Sequence, residues 1–109
     1  MNGQIKTLVV CERSQKYRFQ GPRYKELGEA SGEEFREEYL LPWLASLKDE
    51  ESAVVDFEGT VVYSPSFLEE SFGGAIRFDK KNKERLKNIS FLNMDPIWLE
   101  KLNKYVQKK

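Results

Sequence analysis

The chain has 109 residues, enough for one domain spanning 1–109 with a modest core and too few for two. Its 39% hydrophobic and 13% aromatic content argues for a folded chain, and 18 basic against 18 acidic residues leave no net charge, which removes the case for general nucleic-acid binding. The absence of histidine excludes Ser-His-Asp and Cys-His catalysis, the usual zinc sites and histidine phosphotransfer.

A first strand is expected from Lys6 to Cys11. Cys11 is the only cysteine, so no internal disulfide forms, and it reads as a small strand residue rather than a nucleophile. No signal-like stretch near Met1 and no spanning segment is present, so a soluble, cytoplasmic protein without membrane contact is expected. From Glu12 to Gly32 the chain is polar and holds four helix-breaking residues, Gly21, Pro22, Gly28 and Gly32. A connection of this length is either functional or a hidden hairpin, and a short extended piece is placed around Lys16 to Phe19. Ser31 and Glu34 match a capping box ahead of an apolar stripe, Phe35, Tyr39, Leu40, Trp43, Leu44 and Leu47, at helical spacing. Pro42 lies within that stripe and is expected to bend the helix without ending it.

Lys48 to Ser52 reads as a charged turn. The run Ala53-Val54-Val55-Asp56-Phe57 then suits a strand covered on both faces. Gly59 marks a turn and Val61-Val62-Tyr63 leads to Ser64-Pro65-Ser66. Ser64 with Pro65 supplies an N-cap oxygen followed by a residue preset for the first helical position, while Ser66 with Glu69 matches a capping box two residues later. The helix buries Leu68, Phe72, Ala75 and Ile76. Gly73-Gly74 calls for close packing or termination, and Ile76-Arg77-Phe78 is read as a strand beginning just after. Asp79 to Lys87 is a charged helical or looped segment, and Ile89 to Leu92 a short strand. Asp95-Pro96 opens a last helix that buries Trp98, Leu99, Leu102, Tyr105 and Val106. Its lysines, Lys101, Lys104, Lys108 and Lys109, read as a solvated face. The alternation gives an α/β domain of about four strands and three main helices.

Two hydroxyls, Ser64 and Ser66, thus sit where a helix presents unpaired N–H groups, a place that can hold a phosphate or carry one on a serine. Helix capping is the plain reading of both. Arg23, in the long loop, is placed either to pair with a phosphate at that helix start or to pair with a glutamate. Asp56 needs hydrogen-bond partners, from the adjacent turn or from Arg23. Tyr63 and Phe67 border the turn and serve either as exposed protein-binding anchors or as core under the first long loop. No phosphate loop, dinucleotide turn or metal motif is present, so no cofactor is expected.

Two stretches carry a family resemblance. The first is Gly21-Pro22-Arg23-Tyr24 with Ser31-Gly32-Glu33-Glu34-Phe35-Arg36-Glu37-Glu38 running into Leu40-Leu41-Pro42; the second is Val54 to Gly59 with Ser64-Pro65-Ser66-Phe67-Leu68-Glu69-Glu70-Ser71-Phe72-Gly73-Gly74. Together they resemble the STAS-like domain family, relatives of the sulphate-transporter and anti-sigma-factor-antagonist domains. The resemblance implies a small single-domain fold with a mixed sheet and helices packed largely on one face. It also implies a non-catalytic regulatory module that binds a protein partner, a histidine-kinase-like ATPase or related signalling protein. In the broader class a D-S-S-G turn carries a phosphorylated serine. Laid over this chain from Asp56, that motif falls on Ser64, Pro65, Ser66 and Phe67, so the acceptor position is a proline and the glycine a phenylalanine. The functional surface is expected over Ser64 to Glu70, with Glu69 and Glu70 as its acidic pair and Arg23 and Tyr24 of the Gly21 to Gly32 loop as the next candidates. The alternatives are a nucleotide- or anion-binding domain that uses the helix start and Arg23, and a small mobile-element inhibitor or adaptor.

Overall fold

Three short strands of β-branched and apolar residues set the frame: β1 (Lys6–Val9), β2 (Ala53–Asp56) and β3 (Ile89–Leu92). The computed structural model describes residues 5–48 and 52–107. The strands lie in the order β1-β2-β3 and both pairs are parallel, with Leu8 opposite Val55 and Val55 opposite Phe91. The order advances one way across the sheet, so two right-handed crossovers place both connections on the same face. Burial agrees: Leu8, Ala53, Val55 and Ile89 are buried on that face, whereas Thr7, Ser90 and Leu92 on the other are exposed and Val54 and Asp56 half-buried. β2 is therefore fully covered on one face only.

The sheet corrects two expectations. Among the described residues it has three strands rather than about four, and both pairings are parallel, not mixed. The segment read as a fourth strand, Ile76-Arg77-Phe78, is the end of a helix. β1 also stops earlier than expected, because Val10–Arg13 turns into a helical turn, α1. The piece around Lys16 is a 3-10 turn, Gln15–Arg18, and only Phe19 pairs as an extended residue, with Val62.

The first main helix, α2 (32–45), begins where the capping signal predicts: the Glu34 N–H donates to Ser31 Oγ at 3.0 Å. The Glu34 carboxylate does not close the box. It accepts from Tyr17 Oη at 2.7 Å and pairs with Lys16 at 2.9 Å. Loop carbonyls satisfy two more orphan donors, Gly32 N–H to Pro22 O and Glu33 N–H to Arg23 O. Pro42 does not end the helix. The turn before it widens into a π-turn, Arg36–Leu40, in which the Leu41 N–H donates to Arg36 O, and the helix runs on to Ala45.

The second, α3 (65–78), starts at Ser64, whose Oγ accepts the Phe67 N–H at 3.2 Å with Pro65 in the first turn, so the cap at Ser66 is not used. It also contains a π-turn, Glu69–Gly73, and continues through Gly73-Gly74. Close packing is what Gly74 serves, as does Gly32 on the facing helix. A Cβ on Gly74 would stand 2.7 Å from Arg36 Nη1, and one on Gly32 would stand 2.6 Å from the Phe67 carbonyl oxygen and 3.0 Å from Glu70 Cβ. α4 (Lys81–Lys87) and α5 (Pro96–Gln107) complete the cover. Of the expected core of α5, Leu102 and Val106 are buried, while Trp98, Leu99 and Tyr105 are half-buried; Lys101 and Lys104 are exposed. Part of the charged turn, residues 49–51, and the last two lysines lie outside the described residues.

The core between sheet and helices is aromatic. Tyr17, Phe35, Phe57, Phe67 and Phe72 are fully buried, with Phe35 5.2 Å from Tyr17 and 5.5 Å from Phe67 between ring centres. Tyr17 comes from the long polar connection, so that connection is partly core. Gly32→Ala is expected to cost about 1–3 kcal/mol of stability, because the added methyl meets backbone that must shift. Urea unfolding of the variant against wild type measures this.

Burial pushes the Glu34 carboxyl up, but the hydrogen bonds from Tyr17 and Lys16 outweigh it and hold Glu34 below the usual carboxylate range. A lowered native pKa stabilises the fold above the unfolded value and loses that stability as pH falls through the native one. Thermal melts should therefore fall off in acid. Tyr17→Phe should remove about 2 kcal/mol near neutral pH, the range for a hydrogen bond to a charged group, and flatten that acid limb.

Candidate functional site

The head of α3 stands beyond the C-terminal end of β2, where loops of a parallel sheet gather. Ser64 is extended (φ −128°, ψ 122°), its hydroxyl is used by the Phe67 N–H, and its own N–H donates to Gln20 Oε1 at 2.9 Å. Ser64 is thus a cap tied from two sides. Ser66 is half-buried, and its hydroxyl has no hydrogen-bond partner among the described residues. Phe67 is fully buried between Tyr17 and Phe35, which makes it core under the first long loop and not an exposed anchor.

One turn further along, Glu69 and Glu70 face three arginines. Glu70, 7% exposed, is the inner carboxylate: it pairs with Arg36, with Arg23 at 3.2 Å and with Arg77 at 3.3 Å. Glu69 takes Arg23 at 2.5 Å and Arg77 at 2.6 Å. Arg36 also donates to the Glu70 backbone carbonyl at 3.3 Å. A carboxylate removed from water must be paired, and here each of its oxygens has a guanidinium. The hydrogen bond to Glu69 raises the Arg23 and Arg77 pKa values further above their ordinary range. Arg23 is therefore held by the glutamates rather than directed at the serines, and the anion site built on Arg23 is not assembled. Tyr24, beside it, is exposed.

Asp56 lies at the end of β2. Its Oδ1 accepts the Glu58 N–H at 2.9 Å and Asn93 Nδ2 at 2.8 Å, so it ties the turn after β2 to the turn after β3 and does not reach Arg23. Tyr63, half-buried, stacks on Trp98 with ring centres 5.5 Å apart. Among the described residues no group of His, Cys, Asp and Glu is arranged to hold a metal, and no helix is long and apolar enough to cross a membrane.

Beside the helix head is an apolar surface that no local sequence pattern marks as exposed. Phe19, Val61 and Val62 are 57%, 56% and 47% exposed, and the Phe19–Val62 bridge holds them together. The signal was the apolar run Val61-Val62, which looks like any short buried strand. Its exposure follows from pairing with one residue of the long connection and not with the sheet.

The family model for a STAS-like domain of unknown function (DUF4325) matches residues 31–97, more than half of the chain. The chain belongs to this family. The match takes in both crossing helices, the Ser64–Glu70 segment, β2 and β3; it leaves out β1 and the loop bearing Arg23 and Tyr24. Comparison with curated proteins and with solved structures found no match. Within this STAS-like domain the buried carboxylate should matter most for stability. Glu70→Ala, which takes from Arg36 its buried carboxylate and leaves it the backbone carbonyl of residue 70 and the exposed Glu37, is expected to cost about 3 kcal/mol. Glu69→Ala, whose partners Arg23 and Arg77 reach solvent, should cost about 1 kcal/mol or less. Chemical denaturation of the two variants side by side reads the difference.

Proposed function

We propose that this STAS-like domain is a non-catalytic regulatory module that binds another protein through the surface around the head of α3, in the manner of an anti-sigma-factor antagonist. The observation that carries the reading is the exposed apolar surface of Phe19, Val61 and Val62 beside a helix start whose Ser66 hydroxyl is unengaged. Large apolar side chains held at a protein surface by backbone pairing are favourable anchors for a partner. Family resemblance names the partner class as a histidine-kinase-like ATPase or related signalling protein.

A phosphate switch belongs to the same reading, and Ser66 is its hydroxyl. Ser64 Oγ is occupied as a cap, and Pro65 at the family's acceptor position has no hydroxyl. Ser66 lies three and four residues before Glu69 and Glu70, hence on their side of the helix. A phosphate there adds a charge of about −2 beside two carboxylates and competes with them for Arg23.

Calorimetry against a histidine-kinase-like ATPase domain encoded in the same genome tests the reading. Phe19→Asp and Val61→Asp are expected to abolish binding at unchanged melting temperature. Ser66→Asp should weaken it about tenfold, and Ser66→Ala should leave it intact. Equal affinity in all four variants would move the interaction face elsewhere, Arg23 and Tyr24 being the next residues to change.

A further inference from the structure

At the far side of the sheet from β3, β1 has β2 on one flank and no strand on the other among the described residues. Ile5, Lys6 and Thr7 are exposed one after another, so that half of the edge stands in the open. The N–H and C=O groups of such an edge are a template for another extended chain. Alongside the edge, between β1 and α2, runs an open cleft of about 300 Å³ lined by Leu8, Arg13, Glu38, Tyr39, Pro42 and Trp43.

The charges along this edge are unspent. Glu38 is exposed and makes no ion pair or hydrogen bond among the described residues. Lys6 makes no ion pair there either; its ammonium donates to the Ser46 carbonyl at 2.9 Å, which sets the end of α2 beside the start of β1. Lys6 therefore marks one end of the edge and Glu38 the other. Arg13, beside Glu38, is exposed and has no ion-pair partner among the described residues to keep it from turning to solvent.

The geometry points to a second copy of this chain as the occupant: two molecules joined by their β1 edges, antiparallel about a two-fold axis at Thr7, in one continuous sheet. Charge chooses the direction. A parallel pair sets Lys6 beside Lys6. The antiparallel pair sets each Lys6 opposite Leu8 of the other copy, at the cleft where Glu38 is unpaired. An axis at Leu8 would instead put Lys6 opposite Val10, which has already turned into α1. On the other face the Thr7 axis brings Ile5, 58% exposed, opposite the half-buried Val9, and Thr7 opposite Thr7. Such β-branched pairs suit adjacent strands. This interface makes no use of Phe19, Val61, Val62 or Ser66, and it stands whether or not a partner docks at the head of α3.

The test is sedimentation of the full chain over a concentration series, in which a dimer that dissociates on dilution is expected. Thr7→Arg places like charges across the axis at a position exposed in the single chain, so it should leave the chain folded and monomeric through the millimolar range. Lys6→Glu and Glu38→Lys should each weaken the dimer about tenfold, and the two changes together should restore it. This charge exchange decides alone if Thr7→Arg is unfolded. Phe19→Asp should leave the dimer unchanged. A wild-type chain that stays monomeric through the millimolar range, a dimer that survives Thr7→Arg, charge reversals without rescue in the pair, or a dimer lost with Phe19→Asp would overturn the β1 interface. The last result would place self-association at the head of α3.

Discussion

Two helix backbones can pass within contact distance only where a side chain is missing, and α2 and α3 do so at Gly32, which meets the backbone of Phe67, while Gly74 leaves room for the Arg36 side chain. At that separation Glu70 is caught between them, out of water, and its charge must be met from the facing helix, which Arg36 does. The remaining accepting capacity of Glu70, with that of Glu69, draws in Arg77 from the end of α3 and Arg23 from the long connection. Arg23 is therefore the strap that fixes its loop. The carbonyls of Pro22 and Arg23 then cap α2, and Gln20, two residues before Pro22, is set against the head of α3. One close crossing thus positions the loop, both helix starts and the candidate site.

The same crossing decides which polar residues are available to a ligand. Glu69, Glu70 and Arg23 look reactive as a list of charges, yet they satisfy one another inside the fold. The departures from the D-S-S-G turn are structural in kind. Pro65 opens the helix, and Phe67, where the turn has glycine, fills the aromatic core between Tyr17 and Phe35. What remains toward solvent at the helix head is Ser66 and the surface of Phe19, Val61 and Val62, one hydroxyl beside apolar area.

Among the described residues the second face of the sheet is only partly covered, unusual for parallel strands, which are normally covered on both. The half-burial of Val54 and Asp56 reflects this, and so does the exposure of Thr7, Ser90 and Leu92. Strand direction follows from connectivity. Each strand is followed by enough chain to cross back over the covered face, and a parallel arrangement needs such a crossover.

By itself the sequence determined the helix caps and two of the strands, features that depend on near neighbours. Ser31 and Ser64 cap the helices expected of them, Asp95 Oδ1 and its carbonyl take the Ile97 and Trp98 N–H groups at the start of α5, and β2 and β3 fall on their apolar runs. The α/β class and the family were legible for the same reason. Tertiary structure decided the rest. Ile76-Arg77-Phe78 has strand composition but remains helical, because Gly74 lets the helix pass Arg36 instead of ending it. Tyr17 reads as part of a polar loop and becomes core, because its hydroxyl finds Glu34. The partners of Arg23, the burial of Phe67 and the exposure of Val61 all turn on segments 43 to 50 residues apart in sequence. No local pattern encodes such contacts, since they arise only when the helices cross and the chain must pair every charge it has taken out of water.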